Sequence, residues 1–177
     1  AQTFFQYYLL HAEDGIPYLK YLFDRGLSLN FINAFHLGLA PSKEGLLRSF
    51  LHEMRFSDEE MLEVGILVDR GGRAREFFQE RIMFPIHDQV GSCIGFSARK
   101  IREDVFGGKY INTQETVLFK KSKVLFGLHY SRRRIAKERH VIVVEGQLDA
   151  LRLIFNGFDY AVAALGTAFG EAHVREL

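Results

Sequence analysis

The sequence predicts an α+β fold, in which a mixed helix and strand subdomain is followed by the opening βαβ part of an α/β domain. Three observations support this. Segments of helical spacing fill the first third, two apolar runs flank a polar turn at 82–96, and an apolar run at 141–144 leads through a glycine into a helical pattern. We predict two domains, 1–122 and 123–177.

The composition is that of a folded domain. Of the 177 residues, 47% are hydrophobic, including 17 Phe, which is enough apolar surface for a core. The single cysteine, Cys93, excludes an internal disulfide or four-cysteine zinc site and suggests a reducing, cytoplasmic setting. The sequence contains neither a membrane-length apolar run nor a secretory signal pattern, so we expect no membrane partner.

Helix start and stop signals organise the first third. The aromatic segment 3–11 is amphipathic, Pro17 suits an early helical position, and Gly26 ends that helix. Ser28 and Ser57 are candidate N-cap residues. The glutamate three positions after Ser57 predicts a capping box.

The middle third contains strands. Apolar runs at 82–86 and 94–96, with polar residues and a glycine between them, predict a hairpin. Because proline has no N–H to donate, Pro85 is expected only on an edge strand. A glycine loop at 107–108 precedes a short strand at 110–112.

The last third alternates helix and strand. A helix is predicted over 128–137, and the β-branched run at 141–144 has the content of a buried parallel strand. Helical spacing returns over 148–155, followed by a second strand at 158–163. The turn at 166–168 either presents backbone N–H groups to a phosphate or is a plain turn before a last helix.

Two acids flank the glycine turn after residue 144. A strand followed by a helix places Glu145 and Asp149 at the carboxyl edge of a sheet, where open α/β sheets bind ligands. Their carboxylates suit a divalent metal, and Glu145 could also accept a proton. Alternatively, Glu145 simply ends the strand and Asp149 stabilises the first turn of the helix. Two acids are few for a two-metal site, so further ligands are needed.

The net charge is +1, but bases concentrate between residues 99 and 139, which is typical of a surface that binds a polyanion. Part of this stretch is interleaved with aromatics, as in a groove for single-stranded nucleic acid. The cations are Arg99, Lys109, Lys120, Lys121 and Lys123. The alternative is a solvated basic face, with Phe119 and Phe126 in the core beneath it. We favour the core position for both rings.

Two other groups of cations have simpler explanations. Arg81 flanks an apolar run, and an ion pair with Glu76 or Glu80 explains it as well as a ligand does. The run 132–134 lies on a predicted helix and is typical of a solvated helix face.

Several sequence blocks, taken together, resemble the catalytic core of bacterial DNA primases of the DnaG type. RIMFPI and IGFSAR resemble the family's "R.MFPI…G.IGF..R", KYINT and FKK resemble "KY.NS.ET..F.K", and VEGQLD resembles "VEGYMD". Further blocks lie at 18–28, 37–41 and 161–168. Their common order and spacing make the resemblance specific over nearly the whole chain.

The resemblance implies an enzyme that copies a single-stranded DNA template into a short RNA primer from ribonucleoside triphosphates. It implies a Toprim domain beginning at residue 123 and Mg²⁺ or Mn²⁺ as the catalytic metal. Glu145 corresponds to the family's essential acid, which we also expect to be a metal ligand, and Asp149 to its second acid. The implied template and nucleotide contacts are Arg99, Lys109 and Lys121, and we add Arg81 and Lys120 from the same blocks.

The chain also departs from the family pattern. Gln147 replaces the usual aromatic, and the later Asp-x-Asp pair that binds most of the metal is expected past Leu177. The upstream zinc module and the downstream helicase-binding domain are not in the sequence. We therefore expect a fragment that makes no primers by itself, with zinc and the helicase bound by domains outside it.

The sequence leaves two other classes of protein open. The first is a non-catalytic nucleic-acid-binding module of the Toprim type, which the blocks at 81–99 and 109–121 argue against. The second is a Toprim nuclease or topoisomerase. A topoisomerase would need a domain carrying a nucleophilic tyrosine, which the sequence does not show.

Overall fold

The computed structural model describes residues 1–166 and 168–177, and the predicted turn at 166–168 therefore lies partly outside the described residues. The chain divides into two compact units. The first comprises residues 1–85 and 96–117, and the second comprises residues 86–95 and 118–177. The mixture of helices and strands confirms the α+β class.

Five helices and six strands make up the described elements from residue 1 to 112. The helices are α1 (Gln2–His11), α2 (Ile16–Asp24), α3 (Leu29–Ala34), α4 (Leu46–Glu53) and α5 (Asp58–Glu63). The strands are β1 (Gly38–Ala40), β2 (Leu67–Asp69), β3 (Ala74–Glu76), β4 (Arg81–His87), β5 (Cys93–Lys100) and β6 (Tyr110–Asn112). A short 3₁₀ turn, Glu13–Gly15, joins α1 to α2.

The helix boundaries follow the predicted capping residues. The Ser28 hydroxyl accepts a hydrogen bond from the Phe31 N–H at 3.2 Å. Ser57 and Glu60 form the predicted capping box, with the Ser57 N–H donating to the Glu60 carboxylate at 2.8 Å. Gly26 ends α2 with a φ of 75°, a conformation that costs glycine little. These predictions are confirmed.

The main sheet has the strand order β1-β4-β5-β6, and β2 and β3 form a separate antiparallel pair. Helix α1 packs closely on β1: a Cβ on Gly38 would lie 2.5 Å from the Phe5 Cβ, so only glycine fits there. The Phe5 ring meets Phe96 of β5 edge to face at 5.2 Å between centroids. This contact ties the first helix to the centre of the sheet.

Pro85 does not lie on the edge strand that its missing N–H would favour. Strand β4 lies inside the sheet, between β1 and β5. Proline is tolerated there because β1 is short and pairs with β4 only as far as Met83, opposite Gly38. At Pro85 the β1 side of β4 therefore needs no N–H donor.

The second unit contains the predicted βαβ arrangement. Its elements are β7 (Leu125–Phe126), α6 (Leu128–Glu138), β8 (Ile142–Val144), α7 (Gln147–Phe155), β9 (Ala161–Ala164) and α8 (Glu171–Val174). Strands β8 and β9 are parallel and are connected through α7, whereas β7 pairs with β9 antiparallel. The tip of the β4–β5 hairpin also belongs to this unit, where the rings of His87 and His129 lie 5.5 Å apart.

The prediction that strand β8 is buried is wrong. In the described residues the sheet order is β7-β9-β8, so β8 is an edge strand and its Val143 is 40% exposed. The central strand is β9, in which Ala161, Val162 and Ala163 are fully buried. The β-branched run marked a strand correctly, but sequence composition does not report which neighbours it receives.

None of the helices found in residues 1–166 and 168–177 has the length and apolar character needed to cross a membrane.

Candidate functional site

The acidic turn, defined here as residues 145–149, joins β8 to α7 in the second unit. Gly146 is the N-cap of α7 in an extended conformation, and both Glu145 and Asp149 are exposed. A Cβ on Gly146 would lie 2.7 Å from Oδ2 of Asp149, so the carboxylate folds back over the turn into space that glycine leaves open. The structure thus places both predicted acids at the carboxyl end of β8.

Side chains of the described residues do not occupy the carboxylate oxygens of the acidic turn. Among residues 1–166 and 168–177, neither the Glu145 nor the Asp149 carboxylate has a hydrogen bond or an ion pair to a side chain. Carboxylate oxygens of this kind fit Mg²⁺ or Mn²⁺. The described residues contain no group of three or more His, Cys, Asp or Glu side chains suited to a metal ion, so the pair is an incomplete ligand set.

The basic cluster of the first unit, defined here as Tyr21, Arg25, Arg99, Lys109 and Tyr110, is built around Arg99. Arg99 lies on β5 directly opposite Tyr110 of β6 and is only 6% exposed. Its guanidinium carbon lies 4.7 Å from the Tyr21 ring centroid and 5.7 Å from that of Tyr110. Each such cation–π contact contributes about 0.5–2 kcal/mol.

Arg99 is a buried cation, and the ion pairs found among the described residues do not include it. Its Nη1 has no hydrogen bond within the part of the chain that the structure describes. The guanidinium of Arg25 lies 4.8 Å from the ring centroid of Tyr21, so this ring contacts two cations. Burying a charge without a counter-ion is unfavourable unless a ligand supplies one. The cluster is therefore suited to an anion.

Lys109 and Tyr110 form the exposed edge of this cluster. Lys109 is exposed, and the Tyr110 ring is 40% exposed. A cation beside an accessible ring offers a charge for a phosphate and a stacking surface for a base.

Arg81 supports the loop before Lys109 from beneath. It is 2% exposed, and its guanidinium donates to the carbonyls of Phe106 at 2.6 Å and Gly108 at 2.9 Å. Burial lowers the pKa of the Arg81 guanidinium. In this position Arg81 can shape the loop but does not present its charge to solvent.

The predicted ion-pair alternative for Arg81 is not what the structure contains. Glu80 pairs with Arg102 at 3.1 Å, and Glu76 accepts a hydrogen bond from the Arg48 N–H at 2.9 Å. Arg81 instead donates to the backbone carbonyls of its loop.

The lysine turn of the second unit, defined here as residues 120–123, is held by α8. The Gly170 N–H donates to His173 Nδ1 at 3.2 Å, so Nε2 carries the ring proton and donates to the Lys121 carbonyl at 3.2 Å. Lys120 is exposed and Lys121 half-buried. Phe119 and Phe126 are buried, which confirms their predicted core positions.

Sequence reasoning missed Tyr21 and Arg25. Their spacing of four residues places both on one face at the end of α2, but nothing local indicates that a strand from 80 residues later packs against them. The contact of Arg99 with the Tyr21 ring, and that of Arg25 with the same ring, become visible only in the folded structure.

Comparisons with known proteins identify the class to which this fold belongs. The family model described as DNA primase catalytic core, N-terminal domain, matches residues 4–132. The RNA polymerase domain of Mycobacterium tuberculosis primase DnaG, in complex with a double-stranded DNA oligomer with a 6-nucleotide overhang, has a TM-score of 0.93 and 34% identity. That likeness covers 98% of this chain and 54% of the other.

Curated relatives agree with this class. The chain is 50% identical to the DNA primase of Chlamydia pneumoniae over 177 residues and 36% identical to that of Geobacillus stearothermophilus. These alignments cover 100% and 99% of this chain, and it spans 29% of the length of each relative. The chain belongs to the bacterial DnaG-type DNA primase family.

Proposed function

We propose that this chain forms part of an enzyme that synthesises short RNA primers on single-stranded DNA for replication. The observation that carries the proposal is the basic cluster: a buried guanidinium between two tyrosine rings, beside an exposed lysine. In this proposal residues 1–122 are the N-terminal subdomain of the primase core and residues 123–177 begin a Toprim domain.

Template and nucleotide binding is assigned to the predicted basic residues. The Arg99 guanidinium supplies positive charge between the Tyr21 and Tyr110 rings, and this charge favours a phosphate at the exposed edge of the cluster. Lys109 supplies a second charge, and the Tyr110 ring supplies a stacking surface. Arg81 is a positioning residue, because it holds the 106–108 loop through two carbonyls.

Lys120 and Lys121 are proposed to contact template or incoming nucleotide from the second unit. The hydrogen bond from His173 to the Lys121 carbonyl fixes the backbone of this turn. Holding the backbone reduces the conformational entropy lost when the lysine side chains bind a phosphate.

The acidic turn is assigned to nucleotidyl transfer. Glu145 and Asp149 would hold Mg²⁺ or Mn²⁺, which when bound stabilises negative charge on the attacking and leaving oxygens. Glu145 would also accept the proton of the primer hydroxyl as a general base. Because two carboxylates are an incomplete ligand set, we propose that this chain alone does not make primers.

We propose further partners for a primase of the length of these relatives. Ribonucleoside triphosphates are the substrates, and the replicative helicase and zinc are bound by domains outside residues 1–177. No membrane partner is proposed, and the proposed location is the cytoplasm.

The proposal is tested by binding of labelled single-stranded DNA, measured by fluorescence anisotropy across a salt series. Lys109→Ala with Lys121→Ala should weaken binding and make the slope of log K against log salt shallower by about 1.4, since each phosphate contact contributes about 0.7 on single strands. Lys43→Ala with Lys20→Ala removes the same charge elsewhere on the first unit and is the matched control. Equal affinity and slope in both double variants would contradict the proposal.

A second candidate is a non-catalytic module that binds nucleic acid without chemistry. It is favoured by the absence of a third metal ligand beside Glu145 and Asp149 in the residues described. Titration with Mn²⁺ followed by electron paramagnetic resonance separates the two candidates. The catalytic proposal expects Mn²⁺ binding that is lost in Glu145→Gln, whereas the binding module expects none in either protein.

A further inference from the structure

Helix α6 carries a cationic surface that the proposed template contacts do not use. The α6 face is defined here as Arg132, Arg133, Lys137 and Arg139, all of them exposed. None of the four has an ion pair or a hydrogen bond to a carboxylate within residues 1–166 and 168–177. This surface is a different part of the second unit from the acidic turn.

The orientation of this face is fixed by packing. On the opposite side of α6, Leu128 and Ile135 are buried with Leu125 and Val162 in one apolar cluster. The buried Ser131 hydroxyl donates to the Ala161 carbonyl at 2.7 Å and ties the helix to the central strand. The four cations are therefore held on a rigid helix and projected away from the core.

The local acids neutralise a different arginine. Arg134 lies 3.3 Å from the Glu138 carboxylate and 3.7 Å from that of Asp159, which uses the only acidic side chain of α6. Arg133 and Lys137 stand four residues apart on the helix, where like charges repel. Arg132 and Arg133 are also too far from the helix C-terminus to benefit from its dipole.

The C-terminal end of α6 also carries a cation. Arg139 is the C-cap residue and has a φ of 56° and a ψ of 31°, in the left-handed region. Helices commonly place glycine or asparagine in this conformation because a larger side chain is strained there. A cation is present at a position where backbone geometry favours glycine.

We infer that the α6 face binds the phosphodiester backbone of double-stranded nucleic acid. From Arg132 to Arg139 the helix rises about 10 Å, which is close to three nucleotides along one strand of a duplex at about 3.4 Å each. Along the helix the cations are separated by Ala136, and the nearby rings of His140, Tyr160 and Phe158 contact one another in the segments that follow α6, so α6 itself carries no stacking platform between its cations. Guanidinium groups match phosphate oxygens in bidentate geometry.

Other anionic partners fit this face less well. A helix that binds membranes presents large apolar side chains beside its cations, and here the residue between them is Ala136. Protein interfaces are centred on buried aromatic or aliphatic anchors, which the face also lacks. The inference rests on the proposed function only in that both concern nucleic acid, because the residues and the probe differ.

The test is anisotropy of the 177-residue chain with a short blunt DNA duplex across a salt series. Arg132→Gln, Arg133→Gln and Lys137→Gln together should lower duplex affinity at least about tenfold near 0.1 M salt and reduce the slope by about 2.7, since each phosphate contact contributes about 0.9 on a duplex. Arg132→Lys with Arg133→Lys should retain most of the slope. Lys43→Gln, Arg70→Gln and Arg73→Gln, three exposed cations of the first unit, form the charge-matched control.

A second variant separates binding from folding. Arg139→Gly suits the left-handed backbone, so its unfolding midpoint should stay the same or rise while duplex affinity falls by a few fold. Unchanged duplex affinity and slope in the triple glutamine variant would overturn the inference, as would an equal loss in the charge-matched control. A loss confined to anionic vesicles, with duplex binding intact, would overturn it too. The single-strand experiment with Lys109 and Lys121 reports on the proposed function separately.

Discussion

The basic cluster and the acidic turn are organised in opposite ways. In the first unit Arg99 is 6% exposed and held between two rings, whereas Glu145 and Asp149 in the second unit are exposed and lack side-chain partners among the described residues. The basic cluster is shaped by packing before a ligand arrives. The acidic turn has oxygens available but needs further ligands to fix a metal. The side chains proposed to bind DNA are therefore held more firmly by packing than those proposed to hold a metal.

Among the variants that test this comparison, Arg81→Met should have the largest effect on stability. The substitution leaves the carbonyls of Phe106 and Gly108 without their donors and places an apolar group in the space of a guanidinium. The free energy of unfolding should fall by about 2–4 kcal/mol. Urea denaturation measures it.

The control for this prediction is Arg102→Ala. Arg102 makes ion pairs with Glu80 and Asp104 at an exposed site, where solvent screening leaves such pairs with little effect on stability. If both variants lost the same small amount of stability, Arg81 would not be holding the loop, and the preorganisation of the first unit would be in doubt.

The buried carboxylate of Glu76 should have an intermediate effect, which is a dependence of the free energy of unfolding on pH. Burial raises the pKa of Glu76 against the hydrogen bonds from the N–H groups of Arg48, Gly45 and Leu47 at the start of α4. Because the folded pKa lies above the unfolded value, its contribution to stability is fully present at acidic pH. That contribution is lost as the pH rises through the folded pKa.

Glu76→Gln removes this titration. The difference in unfolding free energy, native minus variant, should therefore increase as the pH falls from neutrality towards the ordinary carboxyl range, as measured by urea denaturation at several pH values. Glu63→Gln, at an exposed position of α5, is the matched control. A difference that stays constant with pH would mean that Glu76 is not a strained buried charge.

The smallest effect is expected at the acidic turn, from Gly146→Ala. The added Cβ would lie 2.7 Å from Asp149 Oδ2, and that exposed carboxylate can rotate away. Stability should change by less than about 1 kcal/mol, whereas any Mn²⁺ affinity of the turn should fall because the Asp149 carboxylate is displaced from its position over the turn. Gly170→Ala, at the extended N-cap of α8, is a matched control away from the acids. Equal Mn²⁺ affinity in both variants would mean that Asp149 does not contribute to metal binding.

Local signals in the sequence predicted much of the fold. Ser28, Ser57 and Gly26 act within a few residues of themselves, so their roles as caps and stops could be recognised without the structure. The parallel pairing of β8 with β9 also followed from the strand, turn and helix pattern. The position of β8 at an edge did not, because pairing partners are a long-range property.

The candidate sites were predicted unevenly for the same reason. Glu145 and Asp149 stand in one local turn, and the structure places both at the end of β8. Arg81, Arg99 and Lys109 look alike in a sequence, but only the fold makes Arg81 a buried support, Arg99 a stacked cation and Lys109 an exposed one. Charge type is local information, whereas burial depends on elements distant in the chain.

The most direct test of the central claim replaces Arg99 by Met and measures single-stranded DNA affinity and unfolding free energy on the same protein. The variant keeps an apolar stem but removes the charge, so affinity should fall at least about tenfold. Stability should change by no more than about 1–2 kcal/mol, because a lost cation–π contact is offset by relief of a buried charge. Unchanged DNA affinity, whatever the stability, would contradict the account.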